Sequence, residues 1–139
     1  MPFFSTDAKG IQHEWSLVVD PSAPSTINLL VGHASTDEFY EARFVAIADG
    51  VFRPDVLKAH GERFENKGIT TAVFRYLTVD LGKELKSSRQ SAGDEWLSPR
   101  MKLIWEHYVN KGCAAYDPKH GRYEWLGPNQ SPRPLPEAR

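Results

Sequence analysis

The sequence predicts an α+β fold, a central and mostly antiparallel mixed sheet with a β-loop-α unit built into it and a second helix near the C-terminus. Three observations predict it. β-rich runs at residues 14–20, 26–34 and 41–48 follow one another with turn residues between them. A polar turn ending in Lys67-Gly68 opens straight into apolar positions at Ile69, Ala72, Val73, Tyr76, Leu77 and Leu81, the three-and-four spacing of a helix with one buried face. A further helical segment, residues 99–111, is bracketed by start and stop signals.

In chain order, the first two β-rich runs flank Pro21-Ser22-Ala23-Pro24-Ser25, whose prolines and small polar residues read as a turn or loop. The third run alternates, with Phe44, Ala46 and Ala48 on one side and Arg43, Val45 and Ile47 on the other, and is expected to be largely buried. Asp49-Gly50 is a strong hairpin pair, after which the chain returns through Val51 and Phe52 to a short strand at residues 56–60. Beyond the first helix Gly82 marks a stop, and residues 84–88 form the next short strand. Ser98 and Pro99 supply an N-cap and a first helical residue, Gly112 supplies the stop, and Leu97, Met101, Ile104, Trp105 and Tyr108 make one apolar face. Two more strands are expected at residues 113–116 and 122–126, and the Pro-rich, polar residues 127–139 read as a tail with no fold of its own. No internal repeat is visible.

Length and composition fit a single domain over residues 1–126. A chain of 139 residues with 40% hydrophobic content and four tryptophans can bury one sizeable core and is too short for two. Its net charge of −1 argues against nucleic acid as a main partner. No apolar run is long enough to span a bilayer and the N-terminus has no signal pattern, so a soluble cytoplasmic protein is expected, with no membrane partner. Cys113, the one cysteine, has no intramolecular partner for a disulfide and is expected to pack in a strand. The five histidines are too scattered for a metal site, so no metal is expected.

The polar turn carries the chemistry. The first-turn amides of Ile69, Thr70 and Thr71 have no intrahelical partner, and with the positive end of the helix dipole they form an anion site. Gly68 has no Cβ, which leaves room for a phosphate to approach, while Thr70 and Thr71 offer hydroxyls and Lys67 a positive charge. Equally, Lys-Gly before a helix is a common loop ending.

In this order and with this loop, the chain resembles the GCN5-related N-acetyltransferases, the GNAT family. The family's cofactor loop, (Gln/Arg)-x-x-Gly-x-(Gly/Ala), corresponds here to Glu65-Asn66-Lys67-Gly68-Ile69-Thr70. Gly68 and Ile69 fit; Glu65 stands where Gln or Arg is usual, and Thr70 where Gly or Ala is usual. A carboxylate at Glu65 repels a pyrophosphate unless it turns outward or pairs with Arg63. The resemblance spans about residues 45–126 and lacks the helices that the family usually carries between its first two strands.

What the resemblance implies is direct acetyl transfer from acetyl-CoA to an amine. The pantetheine would run along Lys58, Ala59 and His60, and the pyrophosphate would rest on Asn66, Lys67, Gly68, Ile69, Thr70 and Thr71. Tyr108, four residues before Gly112, matches the tyrosine that commonly protonates the departing thiolate. The Asn usual seven residues before it is replaced by Met101. His60, whose imidazole can accept a proton, is a candidate base, the alternative being a hydrogen-bonded bystander. Glu38 and Glu41 are further candidate bases or plain surface carboxylates, and Ser87 and Ser88 are either acceptor-holding groups or a loop. The acceptor is an amine of unidentified class. Tyr116, Tyr123 and Trp125 either form a homodimer contact or complete the monomer's core. Two other readings stand beside the enzyme: a GNAT-like binding or inhibitory module without chemistry, and an unrelated α+β fold in which Gly68 only opens a helix.

Overall fold

The computed structural model describes residues 1–33, 36–89, 91–92 and 95–127. The expected tail therefore lies, from residue 128 onward, outside the described residues, as does Ala34 at the end of the second β-rich run. The fold is α+β. The chain forms two compact units, Met1–Leu85 and Lys86–Arg139.

The first unit is a six-stranded sheet in the order β1-β2-β3-β4-β5-β6. β1 (Pro2–Thr6), β2 (Gln12–Ala23), β3 (Thr26–Gly32), β4 (Phe39–Ala48) and β5 (Val51–His60) are antiparallel neighbours. β6 (Glu84–Leu85) then lies parallel to the start of β5, the crossover being made by helix α1 (Ile69–Arg75). The strands form because their side chains alternate: in β3, Ile27, Leu29 and Val31 are buried while the residues between them are partly open. In β4 the alternation buries Tyr40, Ala42 and Phe44, so this strand is half-buried rather than buried throughout. The segment expected as a loop at residues 21–25 is shorter than that, since β2 runs on to Ala23 and only Pro24 and Ser25 turn the chain. The strand expected at residues 56–60 likewise extends back to Val51. Pro54, which has no N–H to give, sits at the bulge where β5 shifts register against β4.

On the buried face α1 contributes Ile69, Val73 and Phe74, with Phe74 meeting Phe44 edge-on at 6.1 Å. Each such fully buried side chain is worth about 1.5–3 kcal/mol. The helix does not run regularly to Leu81 as its periodicity suggests. After Arg75 it widens into a π turn over Tyr76–Asp80, closed by Leu81 N–H donating to the Tyr76 carbonyl, while the Thr78 hydroxyl bonds back to Phe74 O. Gly82, at φ 68°, then ends it as expected.

β1 was not legible as a strand, yet it fixes the turn before α1. The buried Ser5 hydroxyl donates to the Lys67 carbonyl at 2.7 Å and accepts from Trp15 Nε1 at 2.9 Å. Next to it, the Thr6 carbonyl fills the space that a Cβ on Gly68 would need. The missing Cβ therefore admits the β1 backbone, and the expectation that it leaves room there for a phosphate is corrected.

The second unit holds a short hairpin, β7 (Ser91–Ala92) with β8 (Glu95–Trp96), then helix α2 (Pro99–Asn110) and a hairpin of β9 (Ala114–Asp117) with β10 (Arg122–Trp125). Ser98 Oγ caps α2 by accepting from Met101 N–H at 3.1 Å. Lys86 bridges Glu124 antiparallel, and Ser87 N–H donates to Tyr123 O at 2.8 Å. Trp105, fully buried, stacks on Tyr123 at 6.1 Å, and Cys113 is buried just ahead of β9. The polar centre of this unit is Glu95, whose side chain is 8% exposed. Arg122 grips both its oxygens at 2.6 and 2.8 Å, and Arg89 adds its backbone N–H at 3.1 Å. These bonds hold the Glu95 carboxyl at about 2, against burial, which pushes the other way.

Gly68 and Gly82 both have positive φ, but only Gly68 faces a backbone carbonyl. Gly82→Ala should cost about 1 kcal/mol in urea unfolding and Gly68→Ala at least about 2 kcal/mol more; equal losses would remove the Thr6 contact from the explanation. The folded-state value for Glu95 lies below its ordinary 4.5, so its contribution is complete above about pH 5 and disappears as pH falls to about 2. Glu95→Gln should thus be less stable than the native chain at pH 7 by on the order of 3 kcal/mol, the gap closing at low pH.

Candidate functional site

β5 delivers the chain to its candidate site at His60. Gly61 (φ 144°) turns it into a short 3-10 turn, Glu62–Phe64, and Phe64 is buried against Trp15 with ring centroids 5.1 Å apart. Asn66 (φ 57°) and Gly68 (φ 76°), both left-handed, swing the backbone into α1. Gly68 has no capping side chain to offer, and the first intrahelical bond runs from Ala72 N–H to Gly68 O. Lys58, Asn66 and Glu65 are exposed, Ala59, Lys67, Gly68 and Thr71 are half-buried, and Ile69 points into the core. The Thr70 hydroxyl is hydrogen-bonded to Tyr40 OH at 2.7 Å, which pins the first turn of α1 to β4. Glu65 does not pair with Arg63. Arg63 instead donates to Glu38 at 2.6 Å, and the Glu38 side chain packs over Gly61.

One further grouping appears at the end of β5. Strand register sets Phe39 of β4 opposite His60 and Glu41 opposite Lys58, all on the sheet face away from the Tyr40, Ala42 and Phe44 core positions. His60 stacks on Phe39, with centroids 4.3 Å apart and planes 25° apart. Its Nε2 lies 3.6 Å from Glu41 Oε1, buried and without a hydrogen bond. The other oxygen of Glu41 is 3.2 Å from Arg43 Nη2. His60, Glu41 and the loop that starts at Gly61 are therefore neighbours. Sequence reasoning had both residues as separate candidates; their partnership needed the β4–β5 register, which the bulge at Arg43/Phe44 hides from simple counting.

Tyr108 belongs to the second unit. It is 6% exposed and packs edge-on against Trp125 at 5.0 Å. Ser87 and Ser88 are also buried there, the Ser87 hydroxyl donating to Ser88 O and accepting from Tyr123 N–H, both at 2.8 Å. The strand expected at residues 84–88 ends at Leu85, and Ser87, beyond it, ties residues 86–88 to β10. Tyr123 and Trp125 are buried, while Tyr116 is 47% exposed with its ring 5.0 Å from that of Tyr123.

Among the described residues, no group of three or more His, Cys, Asp or Glu is arranged to hold a metal ion, and no helix is long and apolar enough to cross a membrane. Compared with protein-family models, curated proteins and solved structures, the chain finds no match.

Proposed function

We propose that the protein is a trimmed GNAT-like domain that binds acetyl-CoA and transfers its acetyl group to an amine. One observation carries this reading. β5 and β6 are parallel, are joined through the loop and α1, and pair only at Val51 with Glu84 and Phe52 with Leu85. From Arg53 to His60 the strand has no β6 beside it, the parting of two parallel strands in which the GNAT family holds its cofactor. Antiparallel strands before the crossover, a second helix and a closing antiparallel pair resemble the family's element order, without the helices usual between its first two strands and with the β7–β8 hairpin added before α2.

In this reading the pantetheine lies along the backbone of Lys58 to His60. The pyrophosphate meets the amides at the start of α1 from the side away from Thr6, with the Lys67 ammonium as counter-charge. The amine nitrogen attacks the thioester carbonyl, the C–N bond forms as the C–S bond breaks, and the sulfur departs with the electron pair and takes up a proton released by the nitrogen. The exposure of Glu65 suits the loop's task, because its carboxylate is free to turn into solvent.

A second reading, a GNAT-like binding module without transfer, draws on the packing of Tyr108 against Trp125. Thiol release in the presence of a panel of primary amines separates it from the first: a module binds acetyl-CoA and releases none.

Titration calorimetry with acetyl-CoA should give a Kd on the order of micromolar, and the unfolding temperature should rise with ligand concentration. Lys67→Glu keeps the backbone that Ser5 holds. It should weaken binding about tenfold, or about 1.4 kcal/mol, while changing the stability of the free protein by less than about 0.5 kcal/mol. Gly68 is unsuitable for this test, since any side chain there displaces β1. Absence of binding at millimolar acetyl-CoA would overturn the proposal.

A further inference from the structure

We infer that Glu41 and His60 work as a pair in which Glu41 positions the imidazole and His60 Nδ1 takes the proton from an incoming ammonium; this rests on the acetyl-transfer reading above. The geometry divides the two ring nitrogens by environment. Nε2 is buried and faces Glu41 Oε1 at 3.6 Å, whereas the side chain as a whole is 35% exposed. The exposed part of the side chain is therefore elsewhere than Nε2, and Nδ1 is not among the buried polar atoms left without a partner. An acidic partner behind one nitrogen favours the tautomer with N–H on that side and leaves the other nitrogen as the acceptor.

The pair is held from both sides. Phe39 stacks on the imidazole and fixes its plane. Arg43 occupies Glu41 Oε2 at 3.2 Å, leaving Oε1 for the histidine, and Arg43 is itself bonded to Asn28 Oδ1 at 3.3 Å and lies 3.7 Å from Asp55. Of the remaining charges near the ring, Lys58 stands across from Glu41 on the neighbouring strand, and Glu38 and Arg63 are paired with each other beyond Gly61. A buried ring nitrogen with a carboxylate just outside hydrogen-bond distance is unusual in a finished core, where such atoms are satisfied. It is usual in a site whose bonds tighten when substrate arrives.

The proton balance is simple. An acceptor arrives as R–NH₃⁺ and gives one proton to His60 Nδ1. The resulting amine forms the C–N bond to the acetyl carbon, and its second proton leaves with the thiolate as thiol. His60 then returns its proton to solvent, so the net release is one proton per acetyl group transferred.

The test uses the full chain labelled with ¹⁵N-histidine. Without any ligand, a slowly exchanging Nε2–H proton should be visible for His60, assigned by its loss in His60→Gln and shifted and weakened in Glu41→Gln. Absence of that signal in the native chain overturns the inference whatever acetyl-CoA does. With acetyl-CoA and the amine panel, Glu41→Gln should lower kcat about 10- to 100-fold and alter the pH–rate profile, leave KM for acetyl-CoA unchanged, and be partly rescued by Glu41→Asp. Transfer that continues at the native rate and pH profile in Glu41→Gln overturns the pairing while leaving the acetyl-transfer reading intact. Loss of acetyl-CoA binding in the native chain overturns the role in catalysis together with that reading.

Discussion

The close approach of the β1 backbone to Gly68 is the constraint on which the first unit depends. A strand at the very start of the chain and a loop more than sixty positions later must share a space that only a glycine leaves open, because Thr6 O stands where a Cβ would be. Ser5 doubles the constraint by spending its hydroxyl on both Lys67 O and Trp15 Nε1. Phe64, buried on the same tryptophan, anchors the loop at its other end. The turn between β5 and α1 is thus held by Ser5, Thr6 and Trp15, none of them in it or near it in sequence, and the amides at the head of α1 are presented in a fixed direction. Its long-range closure makes the loop's conformation dependent on the docking of β1.

The two charged centres contrast in how fully their polar groups are satisfied. Glu95 is fully engaged: two hydrogen bonds from the Arg122 guanidinium, one from the Arg89 guanidinium and one from the Arg89 backbone N–H, while Arg122 also serves Ser87 O. A network so completely satisfied rigidifies a core and has nothing left to give a ligand. Glu41 and His60 are incomplete by comparison. One carboxylate oxygen is taken by Arg43, the other stops short of the imidazole, and the His60 side chain stays partly exposed. Buried polar atoms left without a partner, as His60 Nε2 is, are few in native proteins.

Much of this was legible in the residues. The antiparallel strands, the Asp49-Gly50 hairpin, the helix start at Ile69, the capped α2 and the closing pair of strands all follow from periodicity and turn chemistry, which are local. β1 was not, because its inward positions are Phe3 and Ser5, and an alternation in which every second core residue is polar has no apolar side to recognise. The π turn after Arg75 escaped for a similar reason: Tyr76 and Leu77 keep the helical spacing, while the widening comes from how Thr78 and Leu81 bond to the backbone. Gly68 is the most instructive residue. From sequence its missing Cβ and the phosphate-loop pattern point the same way, whereas the contact that requires the glycine comes from Thr6. Ser87, legible only as a polar residue after a strand, is a buried tie to Tyr123. For Gly68 and Ser87 the missing information was a tertiary partner far along the chain.

The most direct test of a cofactor site at the head of α1 is a backbone amide map. Titrating ¹⁵N-labelled protein with CoA should move the amides of residues 67–71 and of 57–60 first and furthest, with smaller changes on β1 through its contact at Gly68. Perturbations confined to other parts of the sheet, or none at millimolar CoA, would contradict the assignment of this loop as the cofactor site and leave the β1–Gly68 contact as a matter of folding alone.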